Sequence, residues 1–193
     1  MNKKDIIKIA KENNGYINKD IVCDNDISTI YLSRLCDDNK LKRIDRGVYY
    51  LDEGIEDYFY VYSSKYKNIV YSGTSALYLN KLSNMQFEKY EVTVPYNLAI
   101  PKIQNCIIHR TRKNTFNLGV EEIETPYGNK VKCYNKERCI CDLFINEDAY
   151  DKEDRKYAIK EYFNNYCKMD ILLNYAKKLN VYEKIKNVIE VIK

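Results

Sequence analysis

The stretch from Ile27 to Leu51, ISTIYLSRLCDDNKLKRIDRGVYYL, changes its hydrophobic period halfway along, and few folds accommodate that change in so short a span. Ile27, Ile30, Tyr31 and Leu35 recur at helical spacing and predict one buried stripe. Ser28, Thr29, Ser33 and Arg34 fall on the opposite face, all short or basic. Asp37, Asp38 and Asn39 form a turn that stops the helix. Leu41, Ile44, Val48 and Leu51 then lie in two short runs, LKRI and GVYYL, pinched by Asp45-Arg46-Gly47, which is the pattern of a hairpin. A helix followed by a basic hairpin is the order of parts in a winged helix-turn-helix.

That order has a physical logic for DNA. A helix with small polar and basic residues outward can enter a major groove and reach base edges. Here those residues are Ser28, Thr29, Ser33 and Arg34. The hairpin offers Lys40, Lys42, Arg43 and Arg46 to phosphates against one acid, Asp45; phosphate contacts fix register and groove contacts specify sequence. The plainer alternative is a solvated helix and a surface hairpin kept soluble by charge, since basic surface runs are common.

Composition bounds the partners. The 193 residues suffice for one large or two small domains. The formal net charge is only +4, and residues 1–54 carry ten basic and ten acidic side chains, so any nucleic-acid contact must come from a local patch. No run of about 18 apolar residues exists to span a membrane. The N-terminus MNKKDIIKIAKENN lacks the apolar core of a secretory signal. Seven cysteines without a CxxC predict reduced thiols in a cytoplasm. A single His makes a structural zinc site unexpected, and neither metal nor cofactor is expected.

Along the chain, residues 3–13 predict an amphipathic helix with Ile6, Ile7 and Ala10 inward, ended by Asn14-Gly15. Tyr16 and Ile17 read as an apolar link. Asn18 caps a short second helix, and Asp24-Asn25-Asp26 precedes the third. A boundary is expected at Asp52-Glu53-Gly54, giving a domain over 1–54 and a second over 55–193. IEDYFYVYSSKYK predicts a helix with Ile55, Tyr58, Phe59 and Tyr62 on one side. A strand over 68–72, a helix over 74–82 capped by Ser72 or Thr74, and the strands YEVTV and CIIHR follow. VEEIETPYGNKVKCY is a hairpin, Asn135 caps the helix NKERCICDLFI, and Arg138 and Asp142 stand four apart on it, close enough to pair. Everything after Asp148 predicts helix, either a cap on the sheet or a partner surface. The fold class expected is α+β: a winged helix-turn-helix, then a mixed α/β domain with a helical C-terminal tail.

Two further features bear on chemistry. The stretch 102–113 holds Lys102, Arg110, Arg112 and Lys113 and no acid; with Arg138 these form a candidate second basic or partner surface, the plainer reading being a strand end made soluble by charge. His109 has no Cys or Ser beside it as a nucleophile and reads as structural. Glu122, Glu124 and Lys132 lack the acid-x-Lys spacing of a nuclease core, and no phosphate loop, HExxH, GxSxG or kinase signature occurs, so no enzyme is expected.

Five stretches taken in order, SRLCDDNKLKRIDRGVYYL, YSGTSALYLNKLSN, YEVTVPYN, CIIHR and VKCYNKERCICDLF, resemble the AbiEi-type antitoxins of type IV (abortive infection) toxin-antitoxin systems. The resemblance covers about residues 3 to 146 and lies in the order of the stretches, no one of which is specific. It implies an N-terminal winged helix-turn-helix that represses its own operon at promoter inverted repeats, and a C-terminal domain that counteracts a nucleotidyltransferase-like toxin. Matching positions put base or phosphate contact on Ser28, Thr29, Tyr31, Arg34, Lys42, Arg43 and Arg46. The family often has Arg or Lys where this chain has Thr29 and Ile30, and Thr where it has Cys139. The partners expected are double-stranded DNA and the cognate toxin, with no membrane, for a cytoplasmic monomer or weak dimer pairing on DNA. The alternative is an interaction module that neutralises a partner by binding alone.

Overall fold

The structure, a computed structural model, describes residues 3–51, 56–85 and 87–192 of a mixed α+β chain with two sheets. Contacts divide it into two compact units, Met1–Lys67 with Glu124–Lys130, and Asn68–Ile123 with Val131–Lys193. The boundary expected at Asp52-Glu53-Gly54 lies outside the described residues, as does Ile55.

The first unit runs α1 (Lys3–Glu12), β1 (Tyr16–Asn18), α2 (Lys19–Asp24), α3 (Ile30–Asp37), β2 (Lys42–Asp45), β3 (Val48–Tyr50) and α4 (Tyr58–Lys65). α1 buries Ile6 and Ala10, one helical turn apart, while Ile7 is half-buried. Asn18 caps α2 as its residue type predicts, its side chain accepting from the Ile21 amide at 2.9 Å. Tyr16 and Ile17 are not a link but a strand: β1 pairs antiparallel with β3, Tyr16 opposite Tyr50, in a sheet of order β1-β3-β2. Three residues are too few to show a period, and the partner strand is far off in sequence. Gly47 turns β2 into β3 at φ +82, a conformation that favours glycine.

The core of this unit joins Ile6, Ala10, Ile17, Val22, Ile27, Leu32, Leu35, Leu41 and Tyr49. A second cluster holds Tyr16, Val48, Tyr50 and Val61. Asp57, fully buried, caps α4; its Oδ2 accepts from Thr125 Oγ1 at 2.6 Å and Asn129 Nδ2 at 2.9 Å. The segment 124–130 thereby belongs to this unit.

The second unit contains β4 (Val70–Tyr71), α5 (Gly73–Leu79), β5 (Tyr90–Pro95), β6 (Cys106–Thr111), α6 (Lys113–Phe116), β7 (Val120–Glu124), β8 (Lys130–Tyr134), α7 (Lys136–Ile145), α8 (Lys152–Asn165), α9 (Met169–Lys178) and α10 (Tyr182–Ile192). Its sheet has the order β6-β5-β4-β8-β7, with β4 antiparallel to β5 and parallel to β8, and β5 parallel to β6. Asn135 caps α7, accepting from the Arg138 amide. α7 buries Cys139, Ile140, Cys141, Leu143 and Phe144 and packs against α5, α8, α9 and α10. Among the described residues no helix is long and apolar enough to cross a membrane, and no group of His, Cys, Asp and Glu is placed to hold a metal.

Candidate nucleic-acid interface

The expected stripe on α3 is shifted. Ile30 is 53% exposed rather than buried, whereas Leu32 and Leu35 are fully buried and Tyr31 is half-buried. The cause is where the helix begins: Thr29 is the N-cap residue, so Ile27 reaches the core from the turn before it and the inward face is set by Leu32 and Leu35. The outward face therefore consists of Ser28, Ile30, Ser33 and Arg34, with Thr29 partly covered. Arg34 lies over the Tyr31 ring at 5.8 Å, which holds the guanidinium along the helix surface.

On the hairpin, Lys40, Lys42, Arg43 and Arg46 are all exposed. What matters is which positive charges remain after the local acids are paired. Asp45 meets Lys65 Nζ at 2.6 Å, and Glu56 meets Lys42 Nζ at 2.8 Å. Asp20 meets Lys67 Nζ at 3.5 Å. Burial pushes the Asp45 carboxyl up, but the bonds from Lys65 and the Arg46 amide outweigh it and hold it below the usual range. Lys65 is in turn held above the ordinary lysine value by its bond to Asp45. With these acids occupied, Lys40, Arg43, Arg46 and Lys19 make no ion pair among the described residues and leave positive charge around the hairpin. Among the described residues, Arg43 Nε donates to the Asp45 carbonyl alone, at 3.4 Å.

Lys19 and Lys65 were not foreseen from the sequence. They line a pocket with Asn18, Arg46 and Gly47, and the Lys19 amide donates to the Gly47 carbonyl at 3.1 Å. Both lie at helix ends remote in sequence from the turn at Gly47, and only the β1-β3 pairing, which the sequence did not reveal, brings Lys19 alongside it.

Of the residues expected to form a second basic surface, Arg138 is buried and the others are exposed. Lys102, Arg112 and Lys113 are exposed in the second unit. Arg110 stacks on Tyr96 at 4.9 Å and donates to the Tyr96 carbonyl, clamping the loop after β5. Arg138 is no surface residue at all. It is 4% exposed, with Nε to Asp142 Oδ1 at 2.8 Å and Nη1 to the carbonyls of Thr115 at 2.6 Å and Leu118 at 3.0 Å. The helical spacing to Asp142 foretold the ion pair; it could not foretell that the pair faces inward.

No protein-family model and no curated protein matches the chain. Among solved structures, the fold is similar to the crystal structure of the RV2827C protein from Mycobacterium tuberculosis. The TM-score is 0.58 at 9% sequence identity, over 89% of this chain and 69% of that one. At that identity the likeness is one of fold alone.

Proposed function

We propose that this chain is an antitoxin that also represses its own operon, the first unit binding promoter inverted repeats as a winged helix and the second counteracting a nucleotidyltransferase-like toxin. The observation that carries the DNA-binding part is the positive charge around the β2-β3 turn that has no ion-pair partner among the described residues, directly following a helix whose outward face sets Ser28, Ser33 and Arg34 around Ile30. The element order of the first unit and its sheet order β1-β3-β2 support the winged-helix reading. Arg43, Arg46, Lys40 and Lys19 supply phosphate contacts, and Ser28, Thr29, Ser33 and Arg34 face the groove. The antitoxin part rests on the order of the five stretches quoted above. Neither metal, cofactor nor catalysis belongs to this reading, and its setting is the cytoplasm.

Fluorescence anisotropy with the operon's upstream repeats and with a scrambled duplex, each at two salt concentrations, tests the proposal. Affinity for the repeats that exceeds the scrambled control and falls steeply with salt supports it. Equal affinity for both sequences defeats the specificity claim.

One observation favours a second reading. Ile30 stands 53% exposed in the middle of the outward face. Facing DNA, it would contact a thymine methyl; facing protein, it would anchor a partner, and the chain would neutralise by docking alone. A stable complex with the neighbouring gene product, without any shift of the repeats, selects that alternative.

A further inference from the structure

The second unit contains a polar cavity of about 200 Å³ whose lining includes Ser72, Thr93, His109, Arg138, Asp142 and Tyr150. The sheet builds it. In the parallel register of β5 and β6, Thr93 lies opposite His109, so Glu91, two residues before Thr93, shares a face with both. His109 Nε2 meets Glu91 Oε2 at 2.5 Å, and Glu91 Oε1 accepts from Thr74 Oγ1 at 2.7 Å and from the Thr74 amide at 3.1 Å. Gly73, at φ +56, has no room for a side chain: a Cβ there would run into the Glu91 carboxylate. The close approach of α5 to Glu91 thus depends on glycine.

Four groups in this lining are held in place yet incompletely used. Arg138 commits Nε and Nη1, and among the described residues Nη2 has no hydrogen-bond partner. Asp142 commits Oδ1 to Arg138 and has no such partner at Oδ2. His109 commits Nε2 and keeps Nδ1. Thr93 Oγ1 donates to Ser72 Oγ at 2.9 Å, which leaves the Ser72 proton to be given elsewhere. The hydrogen bond to Glu91 holds His109 above the ordinary histidine value. Burial pushes the Asp142 carboxyl up despite Arg138.

Arginine, imidazole and hydroxyl donors beside one half-buried carboxylate acceptor suit a molecule that carries an anionic group next to its own hydroxyls. The cavity is smaller than the roughly 300–1,000 Å³ of drug-sized sites. We propose that it binds a small phosphorylated polyol of the size of a pentose phosphate. The phosphoryl oxygens meet Arg138, His109 and Ser72, and the sugar hydroxyls donate to Asp142, as carboxylates do toward ribose elsewhere. Every residue named lies in the second unit, so the inference does not rest on DNA binding.

His109 is the one histidine of the chain, so its Cε1–H resonance is a single assigned reporter inside the cavity. The full chain is titrated with ribose 5-phosphate, inorganic phosphate and ribose. The expected result is a saturable shift with ribose 5-phosphate, at a concentration about tenfold below that needed for inorganic phosphate, and none with ribose; tenfold is the effect of one good polar contact. Ser72→Ala, a small change that leaves Arg138 and Asp142 paired, should weaken both phosphates about tenfold. Asp142→Asn, its folding checked by circular dichroism, should weaken ribose 5-phosphate and leave inorganic phosphate unchanged. No saturable shift with either phosphate up to about 10 mM, or identical shifts in wild type and Ser72→Ala, overturns the proposal.

Discussion

At the scale of single residues, the structure separates side chains that hold the first unit together from those free to face a partner. Leu32 is fully buried in the α3 core, and Leu32→Ala should destabilise the first unit by about 2–5 kcal/mol in denaturant unfolding. Ile30→Ser, two residues earlier on the exposed face, should leave stability almost unchanged while weakening whichever partner the helix meets. On the hairpin, Arg46→Ala should weaken binding to every duplex alike and reduce the salt slope by about 1, because a phosphate contact carries no sequence information. Arg34→Ala should instead change which duplex is preferred, read by comparing the repeats with point-mutated repeats in the same anisotropy assay. Helical spacing gives α3 but not the facing of Ile30. A buried stripe read from spacing assumes that the helix starts at its first apolar residue, and here it starts at Ile30.

At the scale of elements, each one with a strong local signal was legible. Asn18 and Asn135 cap their helices as short polar side chains should, YEVTV alternates apolar and polar residues as a strand does, and CIIHR is the strand that follows it. What stayed hidden was pairing across sequence distance. β1 is a strand only because β3 lies beside it, and His109 looked solitary only because Glu91 sits on the neighbouring strand. That pair makes a pH prediction. Glu91, pushed up by burial but held down more strongly by His109 and Thr74, lies below its reference of 4.5; His109 lies above its reference of 6.5. The His109 contribution to stability is complete below 6.5 and is lost as pH rises through the elevated folded value; the Glu91 contribution is complete above 4.5 and is lost as pH falls through the depressed one. Their joint effect is therefore greatest between those references. The His109 titration midpoint measured by NMR should exceed 6.5, and Glu91→Gln should bring it down.

At the scale of the whole molecule, the two-unit organisation explains why a boundary drawn from composition misses part of the first unit. The acidic, glycine-containing stretch after the hairpin suggested that the first domain was finished, yet α4 and the distant segment 124–130 also belong to it. No local property of TPYGNK announces this, since hairpin turns are polar wherever they lie. The bonds that matter run from Thr125 and Asn129 to the buried Asp57 carboxylate. Asp57→Ala should cost on the order of 2–4 kcal/mol, combining a lost helix cap with buried donors left unsatisfied, and the loss should appear in the unfolding of the first unit.

Discontinuity of this kind dictates an order of events during translation. When Lys67 leaves the ribosome, the segment whose Thr125 and Asn129 bond Asp57 has not yet emerged, and at about 5–20 residues per second another roughly 3–13 s pass before Lys130 emerges in its turn. Through that interval the N-terminal segment is an unfinished domain, and a fragment cut at residue 67 would remain one permanently.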